Sequence, residues 1–466
     1  MNSSLTPKLI DSFLEVVVDL LPDTSSSGVP CTASLSRAWQ EIGLRPGDIV
    51  LLCLPNGREV LSQFFGVLLA GGVPALVAPM TPAVRLLELS KAMGARAIGA
   101  LRLPTGDLGC QSCEAIGNLK IAMLPEMPEP IAAPGEVIVL SSGTSGFASG
   151  CVFDLEALLL NGERHAEAIG QRKEDKVLIN LPLYFSFALV AQALASLTVG
   201  NRLIISGPPF NGSLYQKIVK DQEVTISSLT PILIRSILQS DASYLEKLRV
   251  LTVGGDTLEA ETVGRLVKIR PNRELYLTYG LTQAGPRVAT LAAHDEPPHR
   301  YGSVGLPLKG TSVYLRPAAN VDGLNQLYVT SETVMKRPIG WVEGRTHHDL
   351  VAPQTIATGD AFEQDAEGYL YFKGRLGDYI SRKGEKISLA AVRRLVSQLP
   401  HVVSAKTMVV GHRESGEDFD LELRMDGSMG LPEDPREMLR GLLRRTEMPR
   451  NIRIETTKEV SVQGYK

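Results

Sequence analysis

Cysteine is scarce in this chain. Its 466 residues hold five, Cys31, Cys53, Cys110, Cys113 and Cys151. So few, and an odd number, exclude a disulfide-stapled scaffold and suit a reducing compartment. Long apolar runs are absent, so no membrane span is expected. An excess of charge is absent too. The formal net charge is −3, which gives no reason to expect nucleic acid or an anionic membrane as a partner. The N-terminal stretch MNSSLTPKLIDSFLEVVVDLL lacks a basic n-region and carries Asp11, Glu15 and Asp19 within its apolar run. It reads as an amphipathic helix after a Ser/Thr/Pro start, not as a signal peptide. A cytoplasmic location is expected. The nucleotide-binding pattern GxxxxGK[ST] is also missing. Cys110-Gln-Ser-Cys113 has no second pair and no histidine nearby, so it reads as two thiols in a loop or strand end.

What is present describes a soluble protein of two or three domains. Strands are expected over 49–54, 73–77 and 95–100, alternating with helices over 33–43, 58–71 and 84–94. A second αβ series follows. Its helices fall at 155–170, 188–199, 213–221, 231–247 and 258–270, and its strands at 176–182, 201–206, 224–229, 248–253 and 274–278. This alternation predicts doubly wound, mostly parallel sheets. Residues 101–135, rich in Gly and Pro, resist assignment. From 301 to 376 the strands shorten and Gly/Pro turns multiply, which predicts a β-rich subdomain. From 377 an α/β mixture resumes, with helices at 388–399 and 433–446 and strands at 402–410, 418–425 and 452–455. The expected class is therefore α/β. A large N-terminal domain would cover 1–376, and a small, mobile α+β C-terminal domain 377–466.

The most informative stretch is VIVLSSGTSGFASGC, residues 137–151. A β-branched apolar run empties into Ser141, Ser142, Gly143, Thr144, Ser145 and Gly146. Glycines allow close backbone approach, and successive N–H groups with hydroxyls can surround a polyphosphate. Other short motifs also stand at strand ends, where open α/β sheets place ligands. They are Gly254-Gly255-Asp256, Tyr279-Gly280-Leu281-Thr282-Gln283, Thr358-Gly359-Asp360 and Gly374-Arg375.

In order and spacing these motifs resemble the adenylate-forming superfamily of acyl-CoA synthetases, peptide-synthetase adenylation domains and luciferases. SSGTSGFASG is similar to [ST]SGTTGxPKG, PLYFSF to PLFHxxG, GGDTL to GGExL, and YGLTQ to YGxTE. GSVGLP is similar to GSVGxP. TGD at 358–360, with GYLYFKGRLGDYISRKGEKIS at 368–388, is similar to the family's hinge region. The resemblance spans nearly the whole chain.

It implies a two-step reaction needing ATP and Mg²⁺. A carboxylate attacks the α-phosphorus and releases pyrophosphate. A thiol, of CoA or of a carrier protein's phosphopantetheine, then displaces AMP. It implies that residues 141–146 cradle the β- and γ-phosphates and that Thr282 bonds the phosphates. Gly255, Asp256, Thr257, Tyr279 and Gly280 would frame the adenine and the adjoining acyl pocket. Asp360 would accept the ribose hydroxyls, with Arg375 beside it. Phe185, Phe187 and Gly254 would line the acid's pocket, and the loop at Arg382-Lys383-Gly384-Glu385 the thiol tunnel. The pocket segments offer no obvious Asp or Lys to pair an amino acid's charges, which favours an aryl or acyl acid.

Four positions depart from the family pattern. Phe147-Ala148-Ser149-Gly150 lacks the loop lysine. Gln283 replaces the metal-binding glutamate and would hold Mg²⁺ more weakly. Phe185 replaces a histidine. Gly377 stands at the hinge, where a charged residue is usual. Lys466 is the only candidate for the family's late catalytic lysine, one residue off register. His347-His348-Asp349 reads as a polar loop, because no further ligands follow at metal spacing. The arginines at 440, 444, 445, 450 and 453 read as a solvated face or as a contact for an acidic carrier protein or CoA phosphates. With no fused carrier domain, a diffusible acceptor is expected. Two alternatives stay open: transfer to an amine, and a nucleotide-binding protein with a regulatory role.

Overall fold

The computed structural model describes residues 5–21, 30–103, 108–125, 130–140, 149–318, 321, 323–340, 350–382, 385–397, 399, 402–412, 416–426, 434–440 and 442–457. Among the described residues the chain forms four sheets. In the first, Val17–Asp19, Arg202–Ile205, Lys176–Ile179, Ile226–Leu229, Val250–Gly254 and Glu274–Gly280 run parallel in that order. Arg287–Ala292 and Leu306–Pro307 close one edge antiparallel. The parallel strands are apolar on both faces, as helical crossovers demand: Val177, Leu178, Ile179, Leu203, Ile204 and Ile205 are all buried.

The second sheet has a parallel centre of Glu136–Leu140, Val73–Leu76, Ile49–Cys53 and Ala95–Ala100. Antiparallel strands flank it on both sides. The helix Arg58–Leu69 buries Val60, Leu61, Phe64 and Phe65 in the main core, which also holds residues of both large sheets. Asn56 ties the two regions together. Its amide donates to the Leu181 carbonyl at 2.8 Å and accepts from the Leu183 N–H at 2.8 Å.

The third sheet, Ser312–Pro317, Asn325–Thr330, Thr355–Gln364 and Leu350–Ala352 with Leu370–Arg375 alongside, is the expected β-rich region. The fourth is built from Glu385–Ser388, Tyr379–Arg382, Gly416–Asp426, Val402–His412 and Ile452–Thr457. It has its own core, where Ile380, Ile387, Val392, Phe419, Leu421 and Leu439 meet.

Several local readings need correction. The N-terminal helix stops at Glu15, and Val17–Asp19 joins the first sheet with Val17 opposite Leu203. The run Val16-Val17-Val18 is β-branched, and its side chains fit a pleated edge better than a helix turn. The helix expected over 231–247 is two pieces, Pro231–Leu238 and Ser243–Lys247. Between them Asp241 Oδ1 accepts the Ser243 N–H at 2.9 Å, an Asx turn that competes with helix. The unassigned 101–135 region contains the hairpin Ser112–Ile116/Leu119–Met123, turned at Gly117 with φ +59°. Ser149–Asp154, not expected as a strand, pairs antiparallel with Glu136–Leu140, Leu140 lying opposite Gly150.

Candidate active site

Tyr279 stands next to last in the strand Glu274–Gly280, and Thr355–Gln364 carries Asp360, which its side chain reaches. Tyr279 Oη donates a 2.6 Å hydrogen bond to Asp360 Oδ2. Phe362 holds the tyrosine ring edge-on at 4.8 Å. Asp360 itself is held by the turn before it. Gly359 has φ +73°, the Asp360 N–H donates to Thr358 Oγ1 at 3.1 Å, and Thr358 Oγ1 donates to the Leu327 carbonyl. Ladder pairing sets Arg375 opposite Asp360, with Nε 3.8 Å from Oδ1.

Asp360 is buried, and its Oδ1 has no hydrogen-bond partner. Burial pushes its carboxyl up to about 6, against the pull of Arg375 and of the Tyr279 hydroxyl, with Asp378 adding to the rise. Burial, then the Asp360 charge, holds the Tyr279 phenol well above its ordinary range. A buried carboxylate oxygen with no donor is costly unless a ligand supplies one. Two neighbouring hydroxyls, as on a ribose, match that need.

The next turn lies beyond Gly280, where a Cβ would collide with the Pro286 carbonyl, so glycine is required. Thr282–Ala284 forms one helical turn. Thr282 Oγ1 lies 3.2 Å from Ser186 Oγ. The Gln283 carbonyl accepts the Met335 N–H at 2.9 Å, and the Ala284 carbonyl accepts Thr333 Oγ1 at 2.9 Å. Among the described residues no cluster of three or more His, Cys, Asp or Glu could hold a metal ion. Gln283 offers a neutral oxygen donor, which fits a magnesium ion held chiefly by phosphate oxygens and water.

Gly254 ends the adjacent strand, Val250–Gly254, and Gly255 follows it. Gly255 has φ +91° and stands at an exposed rim with Asp256 and Thr257. There Asp256 Oδ1 accepts the Thr257 N–H at 2.7 Å. Phe185 packs on Tyr184 at 4.6 Å, and Phe187 is half-buried. Phe185 caps and Phe187 lies within the short helix Ser186–Ala188, which runs into a π-helical turn over Leu189–Leu194, a feature frequent beside functional sites.

One residue of this region belonged to no motif. Arg287 is 3 % exposed and lies over the Phe187 ring, its guanidinium carbon 3.8 Å from the centroid. Its Nη1 donates to Thr278 Oγ1 at 2.8 Å. The available signal was a charged residue in the apolar run after YGLTQ, where RVATLA alternates as a strand. The CxxC thiols are exposed and 3.8 Å apart, Cys110 before a strand and Cys113 within it. The phosphate-loop residues Ser141, Ser142, Gly143, Thr144, Ser145 and Gly146 lie outside the described residues. So do Phe147, Ala148, His347, His348, Asp349, Lys383, Gly384 and Lys466.

Residues 32–336 match the family model described as AMP-binding enzyme. The chain is 25 % identical over 417 residues to 4-coumarate--CoA ligase-like 8 of Arabidopsis thaliana, covering 81 % of this chain and 74 % of that protein. It is 24 % identical over 409 residues to the 4-coumarate--CoA ligase of Pinus taeda, covering 81 % and 76 %. Its fold matches the o-succinylbenzoate CoA synthetase MenE of Bacillus subtilis, in complex with its acyl-adenylate intermediate, at a TM-score of 0.75. That match has 18 % identity and covers 96 % and 94 % of the two chains. ATP-bound MatB of Rhodopseudomonas palustris matches at 0.71, with 17 % identity over 97 % and 96 %. The chain belongs to the AMP-binding enzyme family, within the adenylate-forming superfamily.

Proposed function

We propose that the chain is an AMP-forming acid–thiol ligase that activates a carboxylic acid with ATP and passes the acyl group to CoA. The observation that carries this reading is Asp360, a buried carboxylate with one oxygen fixed by Tyr279 and the other unbonded. Asp360 accepts the ribose hydroxyls through charge-assisted hydrogen bonds, and Arg375 flanks the same sugar. Gly255, Asp256, Thr257, Tyr279 and Gly280 frame the adenine. Thr282 and the loop 141–146 hold the phosphates, and Gln283 contributes an oxygen to Mg²⁺. Magnesium, when bound, offsets charge on the phosphates and the leaving pyrophosphate.

The acid's carboxylate oxygen attacks the α-phosphorus, and the bond from that phosphorus to pyrophosphate breaks. The thiol sulfur then attacks the acyl carbon, loses its proton, and AMP departs with the former carboxylate oxygen. Oxide is a hopeless leaving group and AMP a good one, so the protein's task is orientation and charge stabilisation. Lys466 supplies a cation at the α-phosphate. Phe185, Phe187 and Gly254 line the acyl side, and this apolar lining favours an acyl or aryl acid. The two 4-coumarate--CoA ligase relatives support CoA as acceptor; the phosphopantetheine of an acyl carrier protein is the other thiol that the reading admits. We place the domain boundary at 376/377, where Gly377 within the turn Leu376–Asp378 allows the smaller domain to turn between the two steps. A cytoplasmic location agrees with the few, unpaired cysteines.

Acid-dependent exchange of pyrophosphate into ATP tests the first step. Exchange with some acid in a panel is expected. Its absence with every acid, in protein that binds ATP, would refute the reading.

A further inference from the structure

Arg287 is held in place before any ligand arrives. Asn161, on the helix Leu155–Ala168, clamps its backbone: the Arg287 N–H donates to Asn161 Oδ1 at 2.9 Å, and Asn161 Nδ2 donates to the Arg287 carbonyl at 2.9 Å. Gly254, with no Cβ, leaves room beside Thr278 and the guanidinium. A Cβ there would lie 3.1 Å from Arg287 Nη1 and would collide with Thr278 Oγ1.

The guanidinium is incompletely satisfied. Nη1 has Thr278, while Nε and Nη2 are buried with no hydrogen-bond partner. Among the described residues no carboxylate pairs with it, and His165, which feels its charge, offers no compensation. His165 is fully buried, both its ring nitrogens are unpaired, and burial followed by the Arg287 charge holds its pKa well below the ordinary value. The Phe187 face offsets part of the charge but accepts no conventional hydrogen bond. A buried cation without a counter-ion is among the costliest features a fold can carry.

The two free nitrogens define the missing partner. Nε and Nη2 share one edge of the guanidinium fork and present two parallel N–H bonds, the geometry that a carboxylate meets with both its oxygens. The place is informative too. Arg287 pairs across the ladder with Gly280, touches Phe187, and abuts Gly254. Phe187 and Gly254 were assigned above to the acyl side of the site, and Gly280 to the adenine beside it. The reacting carboxylate belongs at the phosphates, beside Thr282. A second anionic group, at the far end of a short acid, would reach Arg287.

We propose that Arg287 is a specificity-determining residue that binds a second carboxylate of the substrate, so that the acid activated is a short dicarboxylic acid. This rests on the acid-activating function proposed above and narrows its substrate class.

The test compares succinate and glutarate with their monomethyl esters in pyrophosphate exchange, using wild type, Arg287→Met and Arg287→Lys. In wild type the diacid is expected to exceed its monoester at least about tenfold in kcat/KM. Removing one partner of a buried charge pair should bring that ratio to about one in R287M. R287K, with a charge but no fork, should fall between. AMP affinity, set at Asp360, reports that each variant is folded. A second measurement needs no turnover: the melting temperature with AMP and diacid should rise in wild type and not in R287M. Equal use of diacid and monoester by wild type overturns the proposal, as does an R287M defect equally large for both. If no acid supports exchange while the diacid still raises the melting temperature through Arg287, the anion site stands and the ligase reading falls. If neither exchange nor melting separates diacid from monoester, the anion site falls.

Discussion

Tyr279 Oη and Asp360 Oδ2 are joined at 2.6 Å, while the other oxygen of the same carboxylate, Oδ1, has no donor. One half of Asp360 is thus committed to the fold and the other reserved. Replacing Asp360 with Asn keeps an acceptor but removes the charge. Charge-assisted hydrogen bonds contribute roughly 1.5–3 kcal/mol each, so D360N should weaken AMP binding about tenfold or more. Calorimetric titration with AMP measures it, and an affinity equal to wild type would remove Asp360 from the ribose site.

The same carboxyl sets a pH dependence. Its value in the fold, about 6, lies above the ordinary 3.8. A raised carboxyl binds its proton more tightly when folded. Without nucleotide, its contribution to stability is therefore greatest below the ordinary value and declines as pH rises to about 6. Nucleotide binding has the opposite sense, because the ribose hydroxyls need the charged acceptor. AMP affinity should fall as pH drops below about 6, approaching tenfold per pH unit. Tyr279→Phe removes a bond that favours the charged form, so the midpoint should move up. A flat affinity profile between pH 5 and 7, taken as about one unit either side of that midpoint, would contradict this.

Gln283 stands where the resembling motif has glutamate. Restoring the charge with Gln283→Glu should tighten Mg²⁺ use, because a hard cation prefers an anionic oxygen. The half-saturating Mg²⁺ in pyrophosphate exchange is expected to fall several-fold. No change would place Gln283 away from the metal.

How much of this was legible in the sequence depended on how local the signal was. Alternating apolar runs and Gly-terminated helices gave away the αβ layers, because burial and backbone freedom act within a few residues. Val17–Asp19 was misread because its strand identity comes from pairing with Arg202–Ile205, far along the chain. The Asp360 motif was legible as a pattern. Its unbonded Oδ1 and its raised pKa were not, since both come from burial in the folded chain, which outweighs the opposing pull of Tyr279 and Arg375. Arg287 showed in the sequence only as a charge in an apolar run. Its burial is created by Asn161, Phe187 and Gly254, which lie on three other segments.

Lys466, outside the described residues, is the cation proposed above for the α-phosphate. A preorganised cation facing the developing charge is worth about 10²–10³ in rate. Lys466→Ala should lower pyrophosphate exchange by that order while AMP affinity holds. Exchange at the wild-type rate would remove this residue from the chemistry.

The most direct test of acid activation is the identity of the nucleotide product. Purified protein, ATP, Mg²⁺, CoA and an acid that supports exchange would be followed by phosphorus NMR, with the thioester measured by mass. AMP and pyrophosphate, formed one-to-one with acyl-CoA and only when the acid is present, is the predicted result. ADP with inorganic phosphate, or AMP formed without any acid-dependent thioester, would contradict it.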